Sequence, residues 1–286
     1  MVNQVEITEI AATEQIRITR IEPRKALFAL NLRELWAYRE LLYFLTWRDV
    51  KIRYKQTAIG VAWAILQPVV TTAIFTLLFS TWARFDTGDV PYPLFALSGL
   101  VIWLFTNSSI TIASGSFVSN ANLVTKVYFP RLIVPLAATL AGLFDLIFSL
   151  SILVVLMVYY GIAPTMHLAF APLFIVLAFV LTAAFGTLLS ALNVRFRDVK
   201  FALPFFLQVW MIASPIFYPA DLLPEKWRLV FALNPLVGII DCFRSSLFGV
   251  PFNWPIVGIS CLSILVLCLL SLFVFKRMED DFADVI

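Results

Sequence analysis

The chain has 286 residues, 61% of them hydrophobic and only 14% charged, with a mean hydropathy of +0.92; a soluble domain carries roughly 25% charged residues. That apolar excess is too large for one globular core, which excludes a soluble enzyme, a disulfide-built secreted scaffold and a disordered regulator. A net charge of +3 gives no chain-wide basic field for nucleic acid, so the expected fold class is an all-α integral membrane protein.

Residues 1–57 are expected to form a cytoplasmic N-terminal segment. Met1–Glu22 is polar, and no apolar h-region precedes Ile59, so it does not read as a signal peptide. Between Asn31 and Asp49, Leu32, Leu35, Trp36, Leu42, Tyr43 and Trp47 fall near helical spacing among Arg33, Glu34, Arg39, Glu40 and Arg48. That pattern predicts an amphipathic helix lying on the cytoplasmic membrane face. The alternative is an ordinary helix packed on the spans.

Residues 58–276 form the membrane domain. A helical span needs about 20 mostly apolar residues. Six runs are read as spans, at about 59–80, 93–114, 132–160, 168–192, 203–218 and 254–275, the fifth being short. The region 220–253 differs: Leu229–Ile240 is apolar for only 12 residues, contains Asn234-Pro235 and ends at Asp241. It predicts two short re-entrant helices in the outer leaflet rather than a seventh span. Residues 277–286 are the tail. Six spans place both termini on one side, with 17 Lys and Arg there against Arg84, Lys226, Arg228 and Arg244 opposite. By the positive-inside rule the richer side is cytoplasmic.

Several chemistries have no support in the sequence. The ten glycines are never closer than nine residues and none precedes Lys, so a Walker A loop, a dinucleotide fingerprint and GxxxG are all missing. Cys242, Cys261 and Cys268 have no CxxC spacing and suggest neither a disulfide framework nor a metal site. His167 falls in an outer loop. One acid, Asp145, lies inside a span, where an ionisable group costs about 2.5–3.5 kcal/mol on insertion scales. It must face the bundle, as a structural partner or as part of a channel wall. The positive signal is aromatic, with 27 Phe, 8 Trp and 8 Tyr. Trp82, Tyr92, Tyr159, Tyr160, Tyr218 and Trp254 read as an interfacial belt. Deeper rings are either core or stacking platforms for sugars.

The run Trp47-Arg48-Asp49-Val50-Lys51-Ile52-Arg53-Tyr54-Lys55-Gln56, followed by Gly60, Trp63 and Leu66-Gln67-Pro68, resembles the start of the membrane subunit of ABC-2-type polysaccharide exporters. The likeness returns in Lys126-Val127-Tyr128-Phe129-Pro130-Arg131, Asn193-Val194-Arg195-Phe196-Arg197-Asp198, Ser214-Pro215-Ile216-Phe217-Tyr218, and Asn234-Pro235-Leu236 with Arg244. It is similar above all to O-antigen and capsular polysaccharide export permeases, with teichoic acid exporters nearby.

The resemblance implies a homodimer that recruits two copies of a separate ABC ATPase, which would bind the ATP and Mg. No cofactor is expected on this chain. The implied substrate is a lipid-linked polysaccharide, exported across a bacterial inner membrane through a channel between protomers. Trp63, Phe75, Trp103, Phe205, Trp210 and Phe217, in spans one, two and five, are the candidate channel rings, with Asp145. Trp36, Arg48, Lys126, Arg131, Arg195, Arg197 and Asp198 are candidates for ATPase coupling. The alternatives are export of another substrate (capsule, teichoic acid, lipid or drug) and a membrane-embedded transferase. The transferase would need an acid/base or metal constellation that the sequence does not offer.

Overall fold

A computed structural model describes residues 32–55, 62–79, 88, 90–222, 225–279 and 282. The polar start Met1–Glu22, the first residues of span one, the belt residue Trp82 and the last four tail residues lie outside them. Among the described residues the regular structure is entirely helical. In order the α-helices are α1 (Leu32–Ala37), α2 (Arg39–Lys55), α3 (Ala62–Leu78), α4 (Tyr92–Ser119), α5 (Ala121–Lys126) and α6 (Ile133–Tyr159). There follow α7 (Ala171–Arg195), α8 (Val199–Ile212), α9 (Glu225–Ala232), α10 (Pro235–Phe248) and α11 (Trp254–Glu279). A 3₁₀ turn, Met166–Phe170, leads into α7.

The centre is α4, which packs on α6, α7, α3 and α10. Its length, about 42 Å at 1.5 Å per residue, exceeds the roughly 30 Å hydrocarbon core. In lipid, helices gain little from burying apolar faces against each other, so close backbone approach and interhelical hydrogen bonds carry the packing. The contacts of α4 follow that rule. A Cβ at Gly142 of α6 would collide with Ser109, and one at Gly186 of α7 would come within 2.8 Å of Ala113 Cβ. The Thr182 hydroxyl donates to Thr106 Oγ1 (3.4 Å) and the Asn193 amide to the Ser114 carbonyl (2.9 Å).

Among the described residues four helices, α4, α6, α7 with its 3₁₀ turn, and α11, are long and apolar enough to cross a membrane. The two others expected as spans are shorter: α3 has 17 residues and α8 has 14. The expected fifth span, 203–218, needs correcting at both ends. The helix begins at Val199 and stops at Ile212, and 213–219 turn back across the end of the bundle. Pro215 has no N–H to give a helix and pushes Ser214 out of helical geometry. Two carbonyls of the turn itself, those of Pro215 and Ile216, are taken by Arg244, described below.

Beyond that turn, α9 and α10 meet at Asn234-Pro235. The Asn234 side chain accepts from Leu236 N–H (3.1 Å) and Pro235 holds the first helical position, a strong helix start. Helix α10 ends at Gly249, φ +72°, where only glycine is unstrained. Leu236–Leu247 are buried almost throughout, against α4, α7 and α11.

The N-terminal helix also departs from expectation. It breaks near Tyr38 and runs six residues past Asp49, to Lys55. Its apolar residues split into two faces. Leu35, Tyr38, Leu41, Leu42 and Leu45 join a cluster with Phe129, Ile133, Val134 and Phe275, whereas Trp36, Tyr43 and Phe44 stay exposed. Further along, Trp47 meets Phe144 and Tyr54 meets Phe148. The helix therefore slants along α6 to its midpoint instead of lying flat across the bundle's end.

Candidate functional site

Asp145 lies one residue before the midpoint of α6. Its carboxylate accepts from the Arg53 guanidinium and from the Tyr54 hydroxyl, both at the C-terminal end of α2. A single intramembrane acid is thus neutralised by a base from a helix 92 residues earlier. Both charged side chains stay about one-fifth exposed, because the pair borders a cavity of about 340 Å³. Helix α3 contributes Trp63 and Gln67 to its wall, and α4 contributes Asn107 and Ser108. The Ser108 hydroxyl is buried and has no partner among the described residues. The side-chain amides of Gln67 and Asn107 make no hydrogen bond among the described residues. Tyr54 and Gln67 carried the family resemblance without being assigned to a site, and Asn107 and Ser108 were not marked from sequence. Gln67 and Asn107, amides inside otherwise apolar runs, were the available signal.

The six candidate rings fall into three situations. Trp63 and Phe205 are exposed, at 56% and 72%. Phe75 and Trp210 sit at the edge of the core. Trp103 and Phe217 are inside it, 3% and 6% exposed, so in this conformation they offer no face to a passing chain. Trp103 lies edge-on to Trp210 at 6.3 Å, and the Trp210 indole N–H donates to Asn234 Oδ1 (2.8 Å). Phe217 stacks on Phe75 at 3.5 Å, fixing α3 to the 213–219 turn. Sequence reasoning passed over Phe201, which lies one helical turn before Phe205 and is equally exposed. The i, i+4 spacing on α8 would have paired them.

That turn is clasped by Arg244 of α10. Its guanidinium donates to the carbonyls of Pro215 (2.6 Å), Ile216 (2.6 Å) and Phe95 (3.1 Å) and to Ser98 Oγ (3.2 Å). It also sits 3.7 Å above the Phe95 ring, a cation–π contact. Gly99 makes the clasp possible. A Cβ there would lie 2.6 Å from the guanidinium and 2.8 Å from the Ile216 carbonyl. Burial raises the Tyr218 phenol above its ordinary value, keeping it the neutral donor to the Ile212 carbonyl (2.9 Å).

The coupling candidates gather at the opposite, basic end. There the buried Val124 of α5, Phe129 and Val194 of α7 share one apolar cluster with Leu45 of α2 and with Phe275. Lys126 and the 195–198 segment stand outward from it. The Arg131 guanidinium lies over the Phe282 ring at 5.9 Å and Arg195 over Phe196 at 5.7 Å. Trp36 is exposed beneath Arg39, and Arg48 pairs with its neighbour Asp49 at 2.7 Å. The carbonyl of Asp198 receives the first N–H groups of α8. Val124 and Phe129, which anchor this end, were not marked from sequence. Among the described residues no three His, Cys, Asp or Glu side chains converge as a metal site.

These features define a multi-pass helical membrane protein with a basic end, a clasped opposite end and exposed aromatic helices between them. The chain belongs to the ABC-2 type transporter family, whose match covers residues 40–248. It is 29% identical to the O-antigen export system permease protein RfbA of Myxococcus xanthus, over 88% of this chain and 98% of that one. It is 26% identical to the RfbA permease of Klebsiella pneumoniae, over 86% and 95%. It is 22% identical to the polysialic acid transport protein KpsM of Escherichia coli, over 72% and 83%.

Proposed function

We propose that the chain is the channel-forming permease subunit of an ATP-driven exporter that moves a lipid-linked, O-antigen-like polysaccharide from the cytoplasm to the periplasmic side of a bacterial inner membrane. It works as a homodimer with two copies of a separate ABC ATPase, which bind ATP and Mg. The observation that carries this reading is its likeness, over nearly its whole length, to O-antigen export permeases. Six crossings, with α3 and α8 as the short ones, keep both termini cytoplasmic with the basic end.

The exposure of α3 and α8 supports the dimer. Trp63, Leu66, Val70 and Leu77 on α3 and Phe201, Phe205 and Ile212 on α8 are open. Two such faces from two protomers enclose an aromatic, uncharged passage, along which a glycan slides without tight binding. The segments 121–131 and 195–198 receive the ATPase. Each joins two helices of the bundle, so a rigid-body movement of the ATPase reaches both.

The test is deletion of the gene and complementation. Deletion should remove surface polysaccharide while lipid-linked glycan accumulates inside, and an ABC ATPase should co-purify with the tagged chain. Reversing both Arg195 and Arg197 to Glu should leave insertion intact and lower ATPase association or stimulated hydrolysis. Unchanged surface polysaccharide in the deletion strain would overturn the reading. Unchanged assembly, hydrolysis and export in the double variant would overturn the docking assignment.

A further inference from the structure

We propose that the cavity between α2, α3, α4 and α6 binds one uncharged pyranose ring, with its C–H face on Trp63 and its hydroxyls on Gln67, Asn107 and Ser108. The inference rests on the polysaccharide-export reading and adds to it a fixed holding point in each protomer, opening on the face that Trp63 presents to the passage between protomers.

Polar groups line one wall: Gln67 is exposed, Asn107 is half-buried, and the Ser108 hydroxyl is buried with no partner among the described residues. Asp145 lies near the midpoint of a helix of membrane-spanning length. A buried hydroxyl without a partner is costly there, and the two amides beside it offer further hydrogen bonds, so this wall suits a polar occupant. The second wall is the exposed indole of Trp63. A ligand suited to both walls has one apolar flat face and several hydroxyls at its rim, which describes a pyranose.

Charge narrows the choice. Arg53 and Asp145 neutralise each other at the cavity's edge, with the Tyr54 hydroxyl on the same carboxylate. An anionic ligand such as a pyrophosphate would be drawn to Arg53 only by being pressed against Asp145. A cation would meet the reverse conflict. An uncharged ring gains from both, since each member of the pair makes charge-assisted hydrogen bonds to hydroxyls. The volume of about 340 Å³ is at the small end for ligand sites, enough for one ring and too small for a folded stretch of glycan.

The experiment is saturation-transfer NMR on the full chain in lipid nanodiscs. The probes are the methyl pyranosides of glucose, galactose, mannose, rhamnose and N-acetylglucosamine, with inorganic pyrophosphate as the anionic probe. At least one pyranoside should receive saturation, and pyrophosphate should neither receive it nor compete. Trp63→Leu and Asn107→Leu should each weaken binding about tenfold or abolish it. Trp63→Phe, which keeps a flat face, should retain most of it, and Tyr159→Leu, remote in the aromatic belt, all of it. Thermal unfolding of each variant separates lost binding from lost fold. The proposal is overturned if no pyranoside is saturated, if binding is unchanged in folded Trp63→Leu and Asn107→Leu, or if pyrophosphate competes. Pyranoside binding in a chain whose deletion leaves surface polysaccharide intact would sink the export reading alone. Export without pyranoside binding would sink this site alone.

Discussion

Two arginines reach into the bundle, and they are held in opposite ways. Arg53 answers a carboxylate across two helices, beside a cavity, and both partners keep some exposure. Arg244 is wholly enclosed and satisfied by three carbonyls, a hydroxyl and a ring face, with Asp241 one turn earlier adding a favourable field. The first arrangement ties the C-terminal end of α2 to the middle of α6 through a single carboxylate. The second folds a turn around a cation held from five directions. The clasped end therefore depends on one residue for many contacts, and the junction of α2 with α6 shares its load with the apolar contacts around the pair.

The comparison is broken most easily at Arg244. Replacing it by Ala leaves several buried acceptors without donors, each costing about 1–3 kcal/mol. We expect Arg244→Ala to lose about 3–5 kcal/mol and most folded protein. Arg244→Lys should recover less than half of that, because an ammonium cannot span the Pro215, Ile216 and Phe95 carbonyls as a planar fork does. Thermal unfolding in detergent and yield after size exclusion measure both. An Arg244→Ala chain within about 1 kcal/mol of the parent would show that the turn at 213–219 holds itself.

The Arg53–Asp145 pair should respond more mildly and, unlike the clasp, reciprocally. Asp145→Asn leaves Arg53 without its counter-charge, and Arg53→Gln leaves Asp145 with only Tyr54. Each should cost about 1–3 kcal/mol, and the double variant less than their sum, since a lone charge costs more than a matched neutral pair. A double-mutant cycle on unfolding gives the coupling energy. Strict additivity would mean that the two side chains act independently, and that α2 is held to α6 by its apolar and ring contacts.

What the sequence made legible follows the same division. Helix α11 contains a 22-residue run without a charge, 254–275, and its start could be read from letters because lipid demands such a run. The break at Asn234-Pro235 was equally local, a cap residue followed by a first-turn proline. The end of α8 was not, because Phe217 and Tyr218 continue the apolar run that 203–212 began. What stops the helix is Pro215 together with an arginine 29 residues later. Asp145 was visible as an isolated intramembrane acid, but its partner is 92 residues away, and no spacing rule reaches that far. The slant of α2 was hidden for a similar reason. Its apolar residues looked like one stripe until the packing of α6 divided them.

The rings give the smallest stability effect and the sharpest functional one. Trp103 and Phe205 are both aromatic residues in apolar helices, yet Trp103 is enclosed by the core and Phe205 stands 72% exposed. Phe205→Leu removes a flat face and leaves most apolar area in place, so unfolding should shift by no more than about 0.5 kcal/mol, as at other surface positions. If Phe205 lines the passage between protomers, export per folded molecule should nevertheless fall while basal ATP hydrolysis by the assembled exporter holds. Trp103→Leu should do the reverse, because loss of a large buried ring costs about 3–5 kcal/mol when cut to Ala and Leu refills only part of the space. Export should then decline in step with folded yield, with each surviving molecule near parental activity. Measuring export per folded molecule beside thermal stability for the two variants decides the matter. If Phe205→Leu exports like the parent, the exposed ring of α8 faces lipid and the glycan passes elsewhere.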